Sequence, residues 1–514
     1  MRRFLFMSVC LVILIAGVYS QTRGFAFVAF DDPQLVTENV HVRQGLTRES
    51  LEWAMFSAWR ENVFFYPLSL LSHMLDVTWA GLDPGRHHLT SVGLHAAVTL
   101  SLFALLIRLT GAFWRPALTA GLFAVHPLAV DSVAWVAERS NLLCALLTVG
   151  SIWAFVRYGN NRRRLWYGFS LGLFFLALLA KPTAVMVPVA LLLIRPPEQE
   201  TFPGTCRRSG LFLHIVTLSP FFALSILRLL AVMAVVRDTG PMAAGGEMTT
   251  GILVANALVS LSEYLADVFC PCRLSVYYPF PEYIPLWQPV VSGLLLLAIT
   301  VTAFHNRHRR PLVWGGWLWF LVFLIPSLGM VRSGPWPARA DHYVYIPLMG
   351  LLTALVWMVP EQSIASWKKK FVAGATAVFL VICFSTATFV HTRHYRDSVA
   401  LFERALSLNP HNFLACLGLG NAYREQGRMD LAEIYFRKAI RIKPDSPGAH
   451  NNLGLVLSAR QDWGEAEKHF KTALALSPGF AMARNNLMNL YLRQQDPSHA
   501  TVDREWTIEA GRQK

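Results

Sequence analysis

Charge is scarce in this chain. Asp, Glu, Lys and Arg make up only 15% of its 514 residues, hydrophobic residues make up 54%, and mean hydropathy is +0.39. Soluble domains carry about a quarter charged residues, so that class is excluded and a multispanning membrane protein is implied. Cysteine is scarce too. The seven are scattered with no CxxC spacing, and Cys270-Pro271-Cys272, the one close pair, has no second cluster to complete a metal site. A cleavage signal is also lacking after the apolar run Phe4–Tyr19, where Val18-Tyr19-Ser20 is a poor match. The start therefore reads as an uncleaved first helix. The net charge of +14 suggests nucleic acid only until its distribution is seen. The basic residues cluster in short loops between apolar runs, as in membrane proteins.

Eleven apolar runs are present, near 4–20, 89–107, 116–130, 140–156, 165–180, 183–194, 211–227, 287–304, 312–328, 343–359 and 371–390. With the N-terminus inside, alternate loops carry the basic residues: Arg2 and Arg3; Arg108 and Arg115; Arg157 and Arg162 to Arg164; Arg195, Arg207 and Arg208; Arg307, Arg309 and Arg310; Lys368 to Lys370. The stretch 251–270 is apolar on one face but carries Asn256, Glu263 and Asp267, which suits an outer interfacial helix. The expected fold is all-α, a polytopic membrane domain of about eleven spans over 1–392. Its outer loops are 21–88, with Trp53, Trp59, Phe64, Phe65 and Tyr66 for interfacial helices, and 237–286. Everything after 391 is outside.

From about residue 393 the chain turns polar and repeats every 34 residues. Gly420, Ala432, Phe436, Ala439 and Pro444 recur as Gly454, Ala466, Phe470, Ala473 and Pro478. Small residues let paired helices approach, Phe fills the gap, and Pro ends the second helix. Phe402, Ala405 and Pro410 supply half a repeat upstream; Leu487 and Tyr491 continue it downstream. This is a tetratricopeptide solenoid over 393–500, followed by a polar tail 501–514. Such arrays present a surface to a peptide or partner, or serve as packing modules.

Phe30-Asp31-Asp32-Pro33 lies just beyond the first apolar run. Two carboxylates at a membrane exit are costly to place, so they read either as a local turn or as a functional site. As a site, one of them would be the base of a glycosyl transfer reaction at the outer face.

The combination resembles the transmembrane-and-TPR O-mannosyltransferases, within the GT-C superfamily of lipid-sugar-dependent glycosyltransferases. Phe30-Asp31-Asp32 matches the family's first-loop acidic motif. Tyr66-Pro67-Leu68, followed by Gly85-Arg86-His87-His88-Leu89 and His95, stands where Arg-Pro-Leu is usual. His126-Pro127 to Ala134, running on to Glu138-Arg139-Ser140-Asn141, resembles a further motif, with Asp131 in place of Glu and Asn141 in place of Asp. Lys181-Pro182 stands against Lys-Glu. Ala338-Arg339-Ala340-Asp341-His342-Tyr343-Val344-Tyr345-Ile346-Pro347 resembles an Arg-x-Leu-Tyr-Ile-Pro motif.

The resemblance implies transfer of a sugar from a polyprenyl phosphate to an acceptor hydroxyl, that of protein Ser or Thr, with inversion. A positioned Asp can take the acceptor proton as the bond forms, and Asp31 is slightly preferred over Asp32. Fixed cations stabilise the leaving phosphate, and Lys181, Arg339, His342 and Arg139 are the candidates. Asp131 and Glu138 form a second acidic site suited to a divalent metal or to holding Arg339; the metal requirement is left open. His126-Pro127 reads as a helix kink, and Arg228 as the mark of a polar cavity or the interface. Expected partners are the lipid-linked sugar, a protein or glycan acceptor, and a protein on the repeats, with no nucleic acid. Compact loops and few repeats favour a bacterial inner membrane, with site and repeats on the periplasmic side. The alternatives are a surface-polysaccharide ligase or polymerase and a non-catalytic membrane scaffold. A transporter would show inverted repeats, which are not evident.

Overall fold

The computed structural model describes residues 1–58, 66–193, 207–238, 250–281, 283–328, 337–360 and 366–494. Expectations for Trp59, Phe64, Phe65, Arg195 and the tail 501–514 fall outside them. Among the described residues the chain is helical, with a single isolated bridge, Tyr278 to Arg339, in place of any sheet.

Each of the eleven apolar runs is helical. Six helices are long and apolar enough to cross a membrane by themselves: Pro84–Thr110, Val136–Asn161, His214–Ala234, Thr250–Phe269, Trp287–His305 and Trp367–Tyr395. The run near 116–130 forms a bent pair, Trp114–Ala124 and Pro127–Ala134, with a 58° break, and would make a seventh. The break falls at His126-Pro127, the expected kink. His126 Nδ1 accepts from the Leu128 amide, while Nε2 lies 3.1 Å from the Val268 carbonyl. The remaining runs give shorter helices, including Arg2–Val18, Arg164–Ala180, Pro182–Leu193 and Tyr345–Met358.

The polar stripe of Thr250–Phe269 faces the segment 338–341. Asn256 and Ser260 donate to the Ala338 carbonyl, and Tyr264 to that of Ala340. Two of the basic loop residues bind carbonyls at the C-terminal end of Tyr345–Met358. Arg115 donates to the Val359 carbonyl at 2.8 Å and Arg310 to that of Met358 at 2.7 Å.

The chain divides into two compact units, Met1–Arg396 and Asp397–Lys514. Tyr395 and Arg396 are tied into the first unit. Tyr395 Oη donates to Asp131, and the Arg396 carbonyl accepts from the Ala26 amide.

The second unit opens with Ser398–Leu408, the half repeat, and continues in helix pairs, Phe413–Glu425 with Met429–Ile442 and Pro447–Ala459 with Trp463–Leu476, before Ala481–Gln494. The repeat logic holds atom by atom. A Cβ on Gly420 would lie 2.4 Å from the Phe436 ring, and one on Gly454 would lie 2.7 Å from the Phe470 ring. Gly420→Ala or Gly454→Ala should therefore destabilise the repeats by about 1–3 kcal/mol through overpacking, less the roughly 1 kcal/mol that Ala gains in helix propensity. Thermal unfolding followed by circular dichroism would read the loss; a higher midpoint would contradict the packing.

Candidate active site

Three phenylalanines carry the segment after the first helix across the bundle. Phe25 meets His88 edge-on at 5.9 Å, Phe27 meets His87 at 5.3 Å, and Phe30 stacks on Trp135 at 5.3 Å. The backbone passes so close to Pro84–Thr110 that a Cβ on Gly85 would lie 2.3 Å from the Arg23 carbonyl. Asp83 caps that helix by accepting from the Gly85 amide at 2.9 Å, and Pro84 at its first turn needs no donor.

This path delivers Asp31 and Asp32 to different environments. Asp32 is buried, at 1% exposure. Its carboxylate accepts from the Val28 amide at 2.8 Å and the Ala137 amide at 2.9 Å. It thus pins the acidic loop to the turn before Val136–Asn161. Burial pushes its pKa up to about 7 while those two amides pull it down. Asp31 is only partly buried, and among the described residues its side chain accepts no hydrogen bond. Burial raises its pKa to about 6, the Glu138 carboxylate adds to the rise, and His342 and Lys181 oppose it.

Those neighbours form one cluster. Lys181 Nζ lies 2.7 Å from Glu138 Oε2, and Asn141 Nδ2 donates to the same oxygen at 2.6 Å. His342 Nε2 lies 3.6 Å from Glu138 Oε1. Its Nδ1 lies 2.8 Å from Asp131 Oδ2, which also accepts the His342 backbone amide at 3.0 Å. Tyr395 donates to the other Asp131 oxygen at 2.8 Å. A small crevice lined by Asn141, Thr183, Phe323, Tyr343, Ile346 and Pro347 adjoins the cluster through Asn141. Asn141 and Thr183 give it a polar side, and Phe323, Ile346 and Pro347 an apolar one.

Five of the eight expected residues thus come together in one cluster: Asp31, Glu138, Lys181, His342 and, behind His342, Asp131. Asp32 adjoins it as the clamp. The two other cations, Arg139 and Arg339, are held outside this cluster by acids of their own. Arg139 is wholly buried. It pairs with Asp76 at 2.6 Å and donates to Ser72 and to the His87 carbonyl. That arrangement joins the helices Pro67–Ala80, Pro84–Thr110 and Arg139–Asn161. Arg339 is held by Glu263 at 2.8 Å and by Asp267, with its guanidinium 3.9 Å over the Tyr278 ring. Asp131 does not hold Arg339: both its oxygens are occupied by His342 and Tyr395. Among the described residues no three His, Cys, Asp or Glu side chains are arranged to hold a metal.

Sequence reasoning missed Asp76 and Tyr395. No local pattern marks either, since each gains its role from a partner more than 60 residues away. Asn141 was noticed only as a departure. Its amide donates to Glu138, to Ser132 and to the His342 carbonyl. An aspartate there would instead place a second negative charge against Glu138.

An integral membrane domain bearing an acidic cluster, joined to a helical repeat domain, defines the class. The tetratricopeptide repeat models match residues 389–447 and 447–480. Over most of its length the chain is similar to protein O-mannosyl-transferases. It is 23% identical to TMTC3 of Homo sapiens over 473 residues, covering 84% of this chain and 51% of that protein. It is 24% identical to TMTC1 of Homo sapiens, covering 83% and 54%, and 25% identical to TMTC4 of Mus musculus, covering 79% and 63%. The chain spans about half the length of the first two. The resemblance carried by the motifs and these relatives agree.

Removing one partner of the Arg139–Asp76 pair leaves a buried, uncompensated charge. Asp76→Asn should cost about 3–5 kcal/mol and lower the amount of folded protein in the membrane. Wild-type abundance and an unshifted melting midpoint in detergent would show that the pair does not hold the three helices.

Proposed function

We propose that the chain is a membrane glycosyltransferase that moves a sugar from a polyprenyl phosphate to a protein Ser or Thr hydroxyl, with Asp31 as base. The named relatives are protein O-mannosyl-transferases, so mannose is the sugar to test first. The observation that carries the reading is the asymmetry of the acidic pair. Asp32 is spent on two backbone amides, whereas Asp31 stands partly exposed beside Glu138, Lys181 and His342.

An alcohol attacks poorly until its proton is taken, and Asp31, with a pKa near 6, is ionised at neutral pH and still basic enough to accept it. Lys181 is the cation of the same cluster and would face the departing phosphate. Glu138 fixes the ammonium in place, and Asp131 and Tyr395 fix the ring of His342. The apolar side of the crevice suits the first part of a lipid tail. A single displacement at the anomeric carbon inverts it. In this reading the cluster faces the periplasmic side of a bacterial inner membrane, the side opposite the basic loops.

The test is transfer by purified chain from polyprenyl-phosphate mannose to a Ser/Thr peptide. Asp31→Asn should lower the rate by about 10²–10⁴-fold with folded protein at normal abundance. Asp32→Asn should lower abundance as well, because it weakens the clamp. The native rate should rise with pH through about 6, as Asp31 loses its proton, and level off above it. Full activity in Asp31→Asn, or a rate that falls over that range, would remove Asp31 as the base.

A further inference from the structure

Cys270-Pro271-Cys272, the close cysteine pair of the sequence, takes no part in the acidic cluster. Both thiols are exposed, and their sulfurs lie 3.4 Å apart. The backbone explains the approach. The Cys270 amide donates to the Ala266 carbonyl at 2.8 Å and closes the end of Thr250–Phe269. The Cys272 amide then folds back onto the Cys270 carbonyl, also at 2.8 Å. This is a three-residue turn centred on Pro271, whose ring holds φ near about −65°, close to the value that an inverse γ-turn needs. The bend draws the two flanking side chains together.

The turn is also a joint. The helix that ends at it holds Arg339, through Glu263 at 2.8 Å and through Asp267. The segment that leaves it holds Asp341. The Ser275 amide and Tyr278 Oη each donate to that carboxylate at 3.0 Å, and Tyr278 Oη lies 3.1 Å from the Arg273 carbonyl. The Tyr278 carbonyl in turn accepts from the Ala338 amide at 2.9 Å. Residues 338–341 are thus gripped from both sides of the cysteine pair, and His342 of the acidic cluster follows directly.

We propose that Cys270 and Cys272 are a redox-modified clasp: they exchange with a disulfide, and the bond they form stiffens the joint that holds residues 338–341. The oxidant is a small-molecule or protein disulfide. The thiolate of one cysteine attacks one of its sulfurs, expels the other as a thiolate and leaves a mixed disulfide. The second cysteine's thiolate attacks the first cysteine's sulfur in that bond, expels the remaining thiolate and closes Cys270–Cys272. The two protons lost by the cysteines go to the two expelled thiolates, so one disulfide leaves as two thiols. The charge alternation puts 237–286 on the outer side, where disulfides persist. A bond across the turn restricts the opened state of the chain, so the segments gripped on either side of it open less often. The proposal concerns the thiols and this joint, and stands whether or not the transfer reaction does.

The experiment uses the full chain in detergent, without sugar donor, and glutathione disulfide as the probe. After acid quenching and alkylation, the tryptic peptide that ends at Arg273 holds these two cysteines and no other. Its mass separates the internal disulfide from the glutathione adducts. In the native chain the internal bond should exceed the adducts at least about tenfold and should reopen with dithiothreitol. C272S should instead trap a glutathione adduct on Cys270. Hydrogen exchange then reads the joint: amides of 338–342 should exchange at least about threefold more slowly in the oxidised chain than in the reduced one, and C270S/C272S should show no such change under the same treatment. Adducts on both cysteines without the internal bond, no reaction at either, or equal exchange in the two redox forms would overturn the proposal, as would the same slowing in C270S/C272S.

Discussion

Two backbone hydrogen bonds to one buried carboxylate organise the candidate site. Asp32 reaches back to Val28 and across to Ala137, closing the acidic loop on itself and fastening it to a turn 105 residues downstream. A carboxylate taken out of water must be compensated, and two amides supply much of that. The consequence falls on the neighbour. With Asp32 fixed and Phe25, Phe27 and Phe30 seated on His88, His87 and Trp135, Asp31 is left facing Glu138, Lys181 and His342. One acid is structural so that the next is placed.

The same division of labour recurs in the cations. Arg139 and Arg339 are each consumed by acids of their own, Asp76 for the first and Glu263 with Asp267 for the second. Lys181 keeps a single acid, Glu138, which it shares with His342. The departures from the family motifs make sense in the same terms. Asn141 donates where an acid would repel, and Glu138 gives Lys181 a carboxylate that the adjacent Pro182 cannot.

Much of the fold was legible from local patterns. An apolar run forms a helix because its backbone must satisfy itself in lipid, and all eleven runs do so. The Gly–Phe pairs of the repeats were legible because steric complementarity recurs at a fixed spacing. The acidic pair, Glu138, Lys181 and His342 were legible through motifs. Which aspartate is clamped and where each arginine turns were not. Those answers depend on contacts between residues far apart in the chain, such as Arg139 with Ser72 and His87 or Arg339 with Asp267, and no periodicity records them. The apolar runs likewise do not fix how many helices cross, since five of them suffice in length, one more is bent by 58°, and Thr250–Phe269, outside the runs, is also long enough.

The central claim is that Asp31 and Lys181 share one electrostatic site at the end of the bundle away from the basic loops. The most direct measurement is the pH midpoint of sugar transfer in the native chain and in Lys181→Gln. Lys181 favours the charged form of Asp31, so removing that cation should move the midpoint upward from about 6, whatever it does to the maximal rate. A midpoint that stays in place while the rate falls would mean that Lys181 acts elsewhere and that the shared site does not exist.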